Sequence, residues 1–239
     1  MRLQRFYINQ KVGENKELTI SDTELSHQLS KVFRFKAGDQ IIIFDGSGLE
    51  YVSEIISLNK KEVNLKIMSY QKKVMPAKNI SLYLSLIKKG NFELAVEKCT
   101  EIGVTEIHPI ISERSEKKDL NMERLEKIVK EASEQSGRAT LPTVFSIIDL
   151  EKAVSQAKAE GKVCAVFHTN SDLSISHKHS LSDEGMYPRE VAVFIGPEGG
   201  WTEKEMELFK KNNFQICSLG QNVLRAETAA MLAVWEGLK

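Results

Sequence analysis

A glycine-rich loop with a proline and a carboxylate follows the apolar run VAVFI, and its residues are Gly196, Pro197, Glu198, Gly199 and Gly200. Thr202 and Glu205 come next at capping-box spacing, so a helix is expected to begin at once. Glycine lets backbone N–H groups approach a bound molecule, and α/β proteins hold ligands where a strand, such a loop and a helix N-terminus follow one another. The segment predicts a ligand-binding loop, with a tight structural turn as the alternative. It matches neither the GxGxxG fingerprint nor the phosphate-binding P-loop.

A second group of candidate residues precedes the last predicted helix, in QNVLRAETAAMLAVWEGLK. The apolar face expected for this helix consists of Ala229, Leu232, Ala233 and Trp235. Glu227 suits the helix dipole and Thr228 suits a cap, so both have a structural explanation. Arg225 stands between an apolar pair and the helix start and has no such explanation. We expect it to hold an anion or a substrate.

Three predicted strands end in residues of this kind. Phe167 and His168 close VCAVFH, the glycine loop closes VAVFI, and Leu219 and Gly220 close FQICSLG. Ligands of open α/β sheets bind beyond the C-terminal ends of the strands. If these three ends are neighbours in space, they outline one pocket.

Metal and disulfide chemistry are not indicated by the sequence. Cys99, Cys164 and Cys217 are far apart and form no CxxC pair or zinc-type Cys/His cluster, so we expect reduced thiols in a reducing compartment. The start MRLQRFYINQ lacks the apolar region of a signal peptide, and no apolar run approaches the ~20 residues of a membrane span. A cytoplasmic protein without metal and without membrane contact is expected.

The elements that must position these residues fall into two parts. The first, residues 1–72, contains the predicted strands QRFYI, IIIFDG, EYVSEIISL and EVNLKIM, and a short helix from a capping box at residues 21–24 to about Lys31. Several short strands with tight turns suggest a small barrel. In residues 73–239 strands and helices alternate, which predicts an α/β domain with a mostly parallel sheet covered on both faces. The polar residues 169–189 are predicted to form a mobile loop.

The charge balance neither requires nor excludes a nucleic-acid partner. Formal net charge is zero, whereas nucleic-acid-binding domains are usually basic. Residues 1–73 carry 12 Lys+Arg against 9 Asp+Glu, and the remainder carries 21 against 24. This asymmetry permits an RNA-binding first part.

Several motifs in order resemble one known family. GPEGG before a capped helix, followed by LGQNVLRAETAAMLAV, resembles the SPOUT methyltransferases, and within them the bacterial ribosomal RNA small subunit methyltransferase E family. EKCTEIGV, HPIISERS and EASEQSGR with Pro142 are similar to the middle blocks of that family. RFYI and HQLSKVFRFKAGD resemble its N-terminal PUA-like domain, so the resemblance covers nearly the whole chain.

The resemblance implies a PUA-like RNA-binding β-barrel, a SPOUT domain and a deep trefoil knot over roughly residues 191–239. It also implies a homodimer that transfers a methyl group from S-adenosylmethionine to N3 of one uridine in the 16S rRNA of the small ribosomal subunit. The cofactor-binding residues that it implies are Phe167, His168, Ile195, Gly196, Pro197, Glu198, Gly199, Gly200, Leu219, Gly220, Val223, Leu224, Arg225 and Thr228. Backbone groups of these loops are expected to hold the adenine, with Leu219, Val223 and Leu224 packed on it.

The implied reaction needs charge stabilisation and a proton acceptor, because uridine N3 must lose a proton. We expect Arg225 to stabilise negative charge on the base and Glu198 to accept the proton. The alternative for Glu198 is a loop carboxylate that only favours a helix N-terminus.

Phosphate contacts are the default role for arginines beside loops in the matched blocks. The predicted RNA-binding residues are Arg5, Arg34, Arg114 and Arg138, each with a solvated surface charge as the alternative. His108 and His168 lie in or at the end of apolar strands, where a core or rim histidine is expected.

Three other functions remain open from the sequence: a SPOUT methyltransferase with a different RNA target, a non-catalytic RNA-binding or ribosome-assembly protein, and a nucleotide-binding metabolic enzyme. The intact glycine loop and LRAET favour a working enzyme over the second. The β-rich first part would be unexplained by the third.

Overall fold

The computed structural model describes residues 3–74, 77–115, 119–169 and 190–239. The predicted mobile loop at 169–189 lies outside these residues except for Thr169. The chain divides into two compact units, one of Met1–Met75 with Ser133–Leu141 and one of Pro76–Ala132 with Pro142–Lys239. No helix among the described residues is long and apolar enough to cross a membrane.

The first unit contains a half-barrel of five strands, whose order in the sheet is β1-β3-β4-β5-β2. Its elements are β1 (Arg5–Tyr7), β2 (Glu17–Ile20), α1 (Thr23–His27), β3 (Gln40–Phe44), β4 (Leu49–Leu58) and β5 (Val63–Lys72). β1 pairs with β3 in parallel, and the other neighbours are antiparallel. The sequence did not predict β2, because only Leu18 and Ile20 of its four residues turn inward.

The helical segment of this unit begins and ends differently from the prediction. The cap is Asp22 rather than Ser21, since the Asp22 carboxylate accepts hydrogen bonds from the N–H groups of Glu24 and Leu25 at 2.9 and 3.0 Å. α1 continues as a π-helical turn over Gln28–Val32. Arg34 then adopts a left-handed backbone conformation with φ 59°. Residues other than glycine and asparagine rarely adopt it.

The second unit confirms the predicted α/β fold with a mostly parallel sheet. Its strands follow the order β12-β10-β11-β6-β7-β8, β9 also pairs with β7, and every pair in this sheet of the described residues is parallel. The strands are β6 (Asn79–Ser85), β7 (Glu106–Ile111), β8 (Thr143–Val144), β9 (Ile148–Asp149), β10 (Val163–Phe167), β11 (Glu190–Ile195) and β12 (Gln215–Cys217). The helices are α2 (Lys89–Ile102), α3 (Met122–Ser136), α4 (Leu150–Ala159), α5 (Glu203–Lys211) and α6 (Ala226–Leu238).

Helices cover both faces of the second sheet, as the alternation of strands and helices predicts. Tyr83 of β6 belongs to a buried cluster with residues of α4 and α5. Ile80 of the same strand points to the opposite face, where a Cβ at Gly237 of α6 would come within 3.1 Å of it. Gly237 thus permits the close packing of α6 on this sheet.

α6 buries a different face from the predicted one. Its buried residues are Ala226, Glu227, Ala230, Ala233, Val234 and Gly237. Of the predicted apolar face only Ala233 is buried, whereas Leu232 and Trp235 are 40% and 52% exposed. The helix carries apolar residues on nearly all sides, so its sequence period does not select one face.

His108 is a core histidine, as its place in an apolar strand predicts. Its ring stacks between those of Tyr83 and Phe145, with centroids 4.3 and 4.2 Å away. Burial lowers the pKa of His108, although a hydrogen bond to Glu106 at 3.1 Å opposes that shift. His108 is therefore a packing residue of the core.

Candidate functional site

The three strand ends singled out by the sequence meet at one edge of the second sheet. β10 lies between β11 and β12 and pairs with both in parallel, so that Phe167 is level with Ile195 on one side and Cys217 on the other. The His168 N–H donates to the Cys217 carbonyl at 2.9 Å and continues this alignment past the strands. The three following loops therefore start side by side.

These strand ends and the described residues that follow them line a cavity of about 760 Å³. Every residue predicted to bind the cofactor lines it except Thr228, which lies within the first turn of α6. The lining residues that the sequence did not assign to the cofactor are Lys88, Asn91, Arg114, Thr169, Trp201, Ser218, Asn222, Ala226, Glu227 and Ala229.

The glycine loop is a tight turn fixed to the end of β10. The Gly200 N–H donates to the Pro197 carbonyl at 2.8 Å, and Gly200 has the left-handed φ of 68° that glycine tolerates. The buried indole of Trp201 donates through Nε1 to the Phe167 carbonyl at 3.1 Å. A Cβ at Gly196 would lie 3.1 Å from this indole, so any side chain there would require the indole or the loop to shift by a few tenths of an ångström.

The capping box expected at Thr202 and Glu205 is present and also binds a neighbouring segment. The Glu205 carboxylate accepts from the N–H of Thr202 and from the N–H of Glu113, both at 2.8 Å. Thr202 Oγ1 donates in turn to Glu113 Oε2 at 3.1 Å. The start of α5 and the segment after β7 are thus joined behind the glycine loop.

Two further hydrogen bonds hold the loop itself. Arg114 Nη1 donates to the Gly199 carbonyl at 2.7 Å, which places this exposed arginine on the rim of the cavity. Glu198 Oε1 accepts from the Lys88 N–H at the start of α2, at 3.1 Å. Glu198 therefore has the helix N-terminal contact that the structural alternative predicts, and it also lines the cavity.

The second loop leads from β12 into α6. Ser218 Oγ donates to the Gly220 carbonyl at 2.9 Å and braces its start, while Val223 beyond it is 81% exposed. Arg225 is the N-cap residue, since its backbone is extended with ψ 151° and Ala226 begins the helix. The cap expected at Thr228 is therefore wrong, and the Arg225 side chain lines the cavity without capping the helix.

The family models agree with both units. A model described as "RNA methyltransferase domain" matches residues 74–235, which is more than half of the chain, and a model described as "RNA methyltransferase PUA domain" matches residues 21–68. The chain belongs to the RNA methyltransferase family.

Named relatives of this methyltransferase are similar over nearly their whole length. Ribosomal RNA small subunit methyltransferase E of Rickettsia conorii is 32% identical over 98% of this chain and 94% of the relative. The enzyme of the same name from Bacillus subtilis is 28% identical over 97% and 94%.

Two solved structures extend the comparison to the fold. Ribosomal RNA small subunit methyltransferase E from Neisseria gonorrhoeae, bound to S-adenosylmethionine, has a TM-score of 0.84, 28% identity, and coverage of 98% of this chain and 95% of that one. A putative methyltransferase from Legionella pneumophila in complex with the same cofactor has a TM-score of 0.86, 28% identity, and coverage of 98% and 96%.

The four arginines predicted to bind RNA differ in how accessible their guanidinium groups are to a phosphate. Arg34 and Arg114 are exposed. Arg138 is partly buried, and burial lowers its pKa to about 10. Arg5 is buried, pairs with Glu50 and donates to the Arg138 carbonyl at 2.9 Å. The prediction for Arg5 is corrected, because its guanidinium is used inside the first unit.

Glu227 is the residue of the cavity whose importance the sequence did not reveal. It is only 5% exposed, and its Oε2 has no hydrogen-bond partner within the described part of the chain. A glutamate in the first turn of a helix is explained by the helix dipole, so nothing in the sequence marks this one as different. No group of three or more His, Cys, Asp or Glu residues that could hold a metal occurs among the described residues.

The close approach of Gly196 to Trp201 predicts that a Cβ at position 196 lowers the stability of the protein. Gly196→Ala should lower the free energy of unfolding by about 1–3 kcal/mol, because the indole is held by its hydrogen bond and cannot move away freely. Gly90→Ala is the matched control, since a Cβ there meets nothing within 4 Å. Urea unfolding followed by tryptophan fluorescence measures both. Equal stability of the two variants would show that Gly196 is not needed for this packing.

Proposed function

We propose that this methyltransferase transfers a methyl group from S-adenosylmethionine to N3 of one uridine in 16S rRNA, acting in the cytoplasm on the small ribosomal subunit. The observation that carries the proposal is the cavity at three parallel strand ends, in a chain whose relatives are named as small-subunit rRNA methyltransferases. The methyl donor is the cofactor held by two solved relatives.

The cavity suits a nucleoside-type cofactor. Its volume of about 760 Å³ lies in the ordinary range for small-molecule sites. Leu219, Val223 and Leu224 offer apolar surface to an adenine, and the glycine loop offers backbone groups without side chains in the way. The high exposure of Val223 is explained if a ligand or a partner covers it. When bound, S-adenosylmethionine supplies a methyl group on a positively charged sulfur.

Arg225 stabilises the negative charge that develops on the uracil ring. Arg225 is exposed and lines the cavity, and its side chain makes no capping hydrogen bond to α6, so its guanidinium is available to a substrate. Arg225 lies at the N-terminus of α6, where the positive end of the helix dipole also favours negative charge. A fixed cation at a place where charge develops contributes to rate rather than to ground-state binding.

Glu198 accepts the proton that leaves N3. Its Oε1 already accepts from the Lys88 N–H, which fixes the carboxylate at the cavity and leaves Oε2 for the proton. With S-adenosylmethionine bound, Glu198 would take the N3 proton as N3 takes the methyl group, and the electron pair of the S–C bond would stay with the sulfur. The remaining work is alignment of the nucleophile with the methyl group.

RNA is bound by exposed arginines and by a PUA-like barrel formed by residues 1–72, with residues 73–239 as the catalytic domain. Arg34 is the favoured phosphate contact of the first unit, because residues 25–38 around it contain basic side chains and no Asp or Glu. Gly or Asn at this position would adopt the left-handed backbone with less strain. The turn therefore does not explain why the residue is an arginine, whereas a phosphate contact does. Arg114 on the cavity rim and the partly buried Arg138 are the further candidates.

The enzyme acts as a homodimer with a C-terminal trefoil knot. Leu94 of α2 and Leu232 and Trp235 of α6 are exposed apolar residues on two helices that pack against each other. A second copy of the chain would cover this face. For the knot, the supporting observation is that β12 lies at the sheet edge beside β10, whereas α6 returns to pack on β6 and β11.

The reaction is tested directly by methyl transfer from labelled S-adenosylmethionine to bacterial small subunits that lack this modification, followed by nucleoside analysis. We expect label in 3-methyluridine at one site. Label in another nucleoside would keep the enzyme class and exclude the proposed target. Cofactor binding without transfer to subunits or to free 16S rRNA would contradict the proposal and favour an RNA-binding or assembly protein.

The roles of Arg225 and Glu198 predict two distinguishable kinetic effects. Arg225→Ala should reduce kcat by about 10²–10³ with little change in cofactor affinity. Glu198→Gln keeps an oxygen for the Lys88 N–H but removes the base, so its rate should fall at neutral pH and recover as alkaline pH ionises uridine itself. Lys210→Ala, an exposed cation of α5, is the control. Full activity of Arg225→Ala, or an unchanged pH profile of Glu198→Gln, excludes the corresponding role.

The phosphate contact of Arg34 predicts a loss of RNA affinity without a loss of stability. Arg34→Asn keeps a residue that tolerates the left-handed conformation, so the free energy of unfolding should not fall. The slope of log affinity against log salt should decrease by about 0.7–0.9, the value for one phosphate contact. Lys60→Asn makes the same charge change at another exposed cation of the first unit and should leave the slope unchanged. Identical slopes for all three proteins would remove Arg34 from the RNA contact.

A further inference from the structure

Glu227 is a buried acid in the cavity with an unsatisfied oxygen. It is the second residue of α6, is 5% exposed and lines the cavity. Its Oε2 is buried and accepts no hydrogen bond from any described residue. A buried carboxylate oxygen without a donor is unfavourable, because the water that it loses on burial is not replaced.

The described residues around Glu227 offset only part of the unfavourable burial of its carboxylate. The N-terminal end of α6 favours a negative charge in its first turn, which helps the carboxylate to stay ionised. No ion pair to Glu227 is formed by the described residues. Of the Lys and Arg residues that line the cavity, Arg114 donates to the Gly199 carbonyl, and Lys88 and Arg225 are exposed. The cavity therefore contains one buried carboxylate for which the described residues supply no positively charged partner.

The positive charge that Glu227 lacks as a partner is present on the methyl donor. Glu198, the other carboxylate of the lining, is exposed and accepts from a backbone N–H, whereas Glu227 is buried where electrostatic attraction is stronger. S-adenosylmethionine carries a positive sulfonium. In the reaction the methyl carbon leaves sulfur for N3, N3 releases its proton, and the sulfur becomes a neutral thioether. Donor and product thus differ at the sulfur by one positive charge and one methyl group.

We propose that the Glu227 carboxylate is the counter-ion that makes this cavity prefer the sulfonium methyl donor to its neutral thioether product. The inference rests on the proposed function, since it assumes that S-adenosylmethionine occupies the cavity. The same preference would help the product to leave after transfer. Glu227 is thereby a cofactor-selecting residue, separate from the roles of Arg225 and Glu198 toward the base.

Calorimetric titration of the full chain with three ligands tests this selection. The ligands are S-adenosylmethionine, S-adenosylhomocysteine and sinefungin, in which an amine-bearing carbon replaces the sulfonium. Glu227→Gln should weaken binding of the two cationic ligands on the order of tenfold to hundredfold, and binding of S-adenosylhomocysteine by less than about threefold. Glu236→Gln, at the other end of the same helix, should change none of the three affinities.

Each other outcome overturns a defined part of the account. Equal weakening of all three ligands by Glu227→Gln would mean that Glu227 binds the adenosine or amino-acid part that they share. Unchanged affinities would make Glu227 a structural residue. If the wild-type protein bound none of the ligands, the proposed function itself would fail.

A second variant keeps the test valid if Glu227→Gln does not fold. Glu227→Met replaces the buried charge with an apolar side chain of similar length. Because the charge serves the ligand and not the fold, ligand-free Glu227→Met should unfold at a temperature no lower than the wild type, and it should show the same loss of preference for the cationic ligands. A lower unfolding temperature with an unchanged order of affinities would contradict the proposal.

Discussion

The parallel pairing of β10 with both β11 and β12 is the constraint on which the site depends. It brings Phe167, Ile195 and Cys217 level at one sheet edge, so that three loops begin side by side. The Trp201 indole then fixes the glycine loop to the end of β10 through the Phe167 carbonyl. The backbone ladder sets the position of the cavity, and one buried side chain sets the path of its principal loop.

The charges of the cavity follow from this arrangement. Lys88, Arg114 and Arg225 lie on its lining, and the start of α6 brings the positive end of a helix dipole to the same place. Such surroundings suit an RNA phosphate and a base that becomes negative during methyl transfer. The buried carboxylate of Glu227 has the opposite charge and suits a cationic methyl donor. The proposed reaction requires a cationic methyl donor beside a base that becomes negative, and the cavity offers groups of both signs.

Features governed by local sequence could be predicted, and features governed by distant partners could not. Thr202 and Glu205 form a capping box because the spacing alone allows it, and the three strand ends follow from apolar runs closed by turn residues. The sequence favours an RNA contact for Arg5 because it does not indicate the partner Glu50, which lies on another strand. The unsatisfied oxygen of Glu227 and the exposed Trp235 likewise depend on what surrounds α6 in the fold. The short strands β8 and β9 have two residues each and leave no periodic signal.

The assignment of the cofactor to the three loops is the central claim, and hydrogen exchange with and without S-adenosylmethionine tests it most directly. The account predicts that bound cofactor slows exchange in residues 167–169, 195–201 and 218–228, while the half-barrel of the first unit is unaffected. Cofactor binding that protects other segments and leaves these three loops unchanged would contradict it.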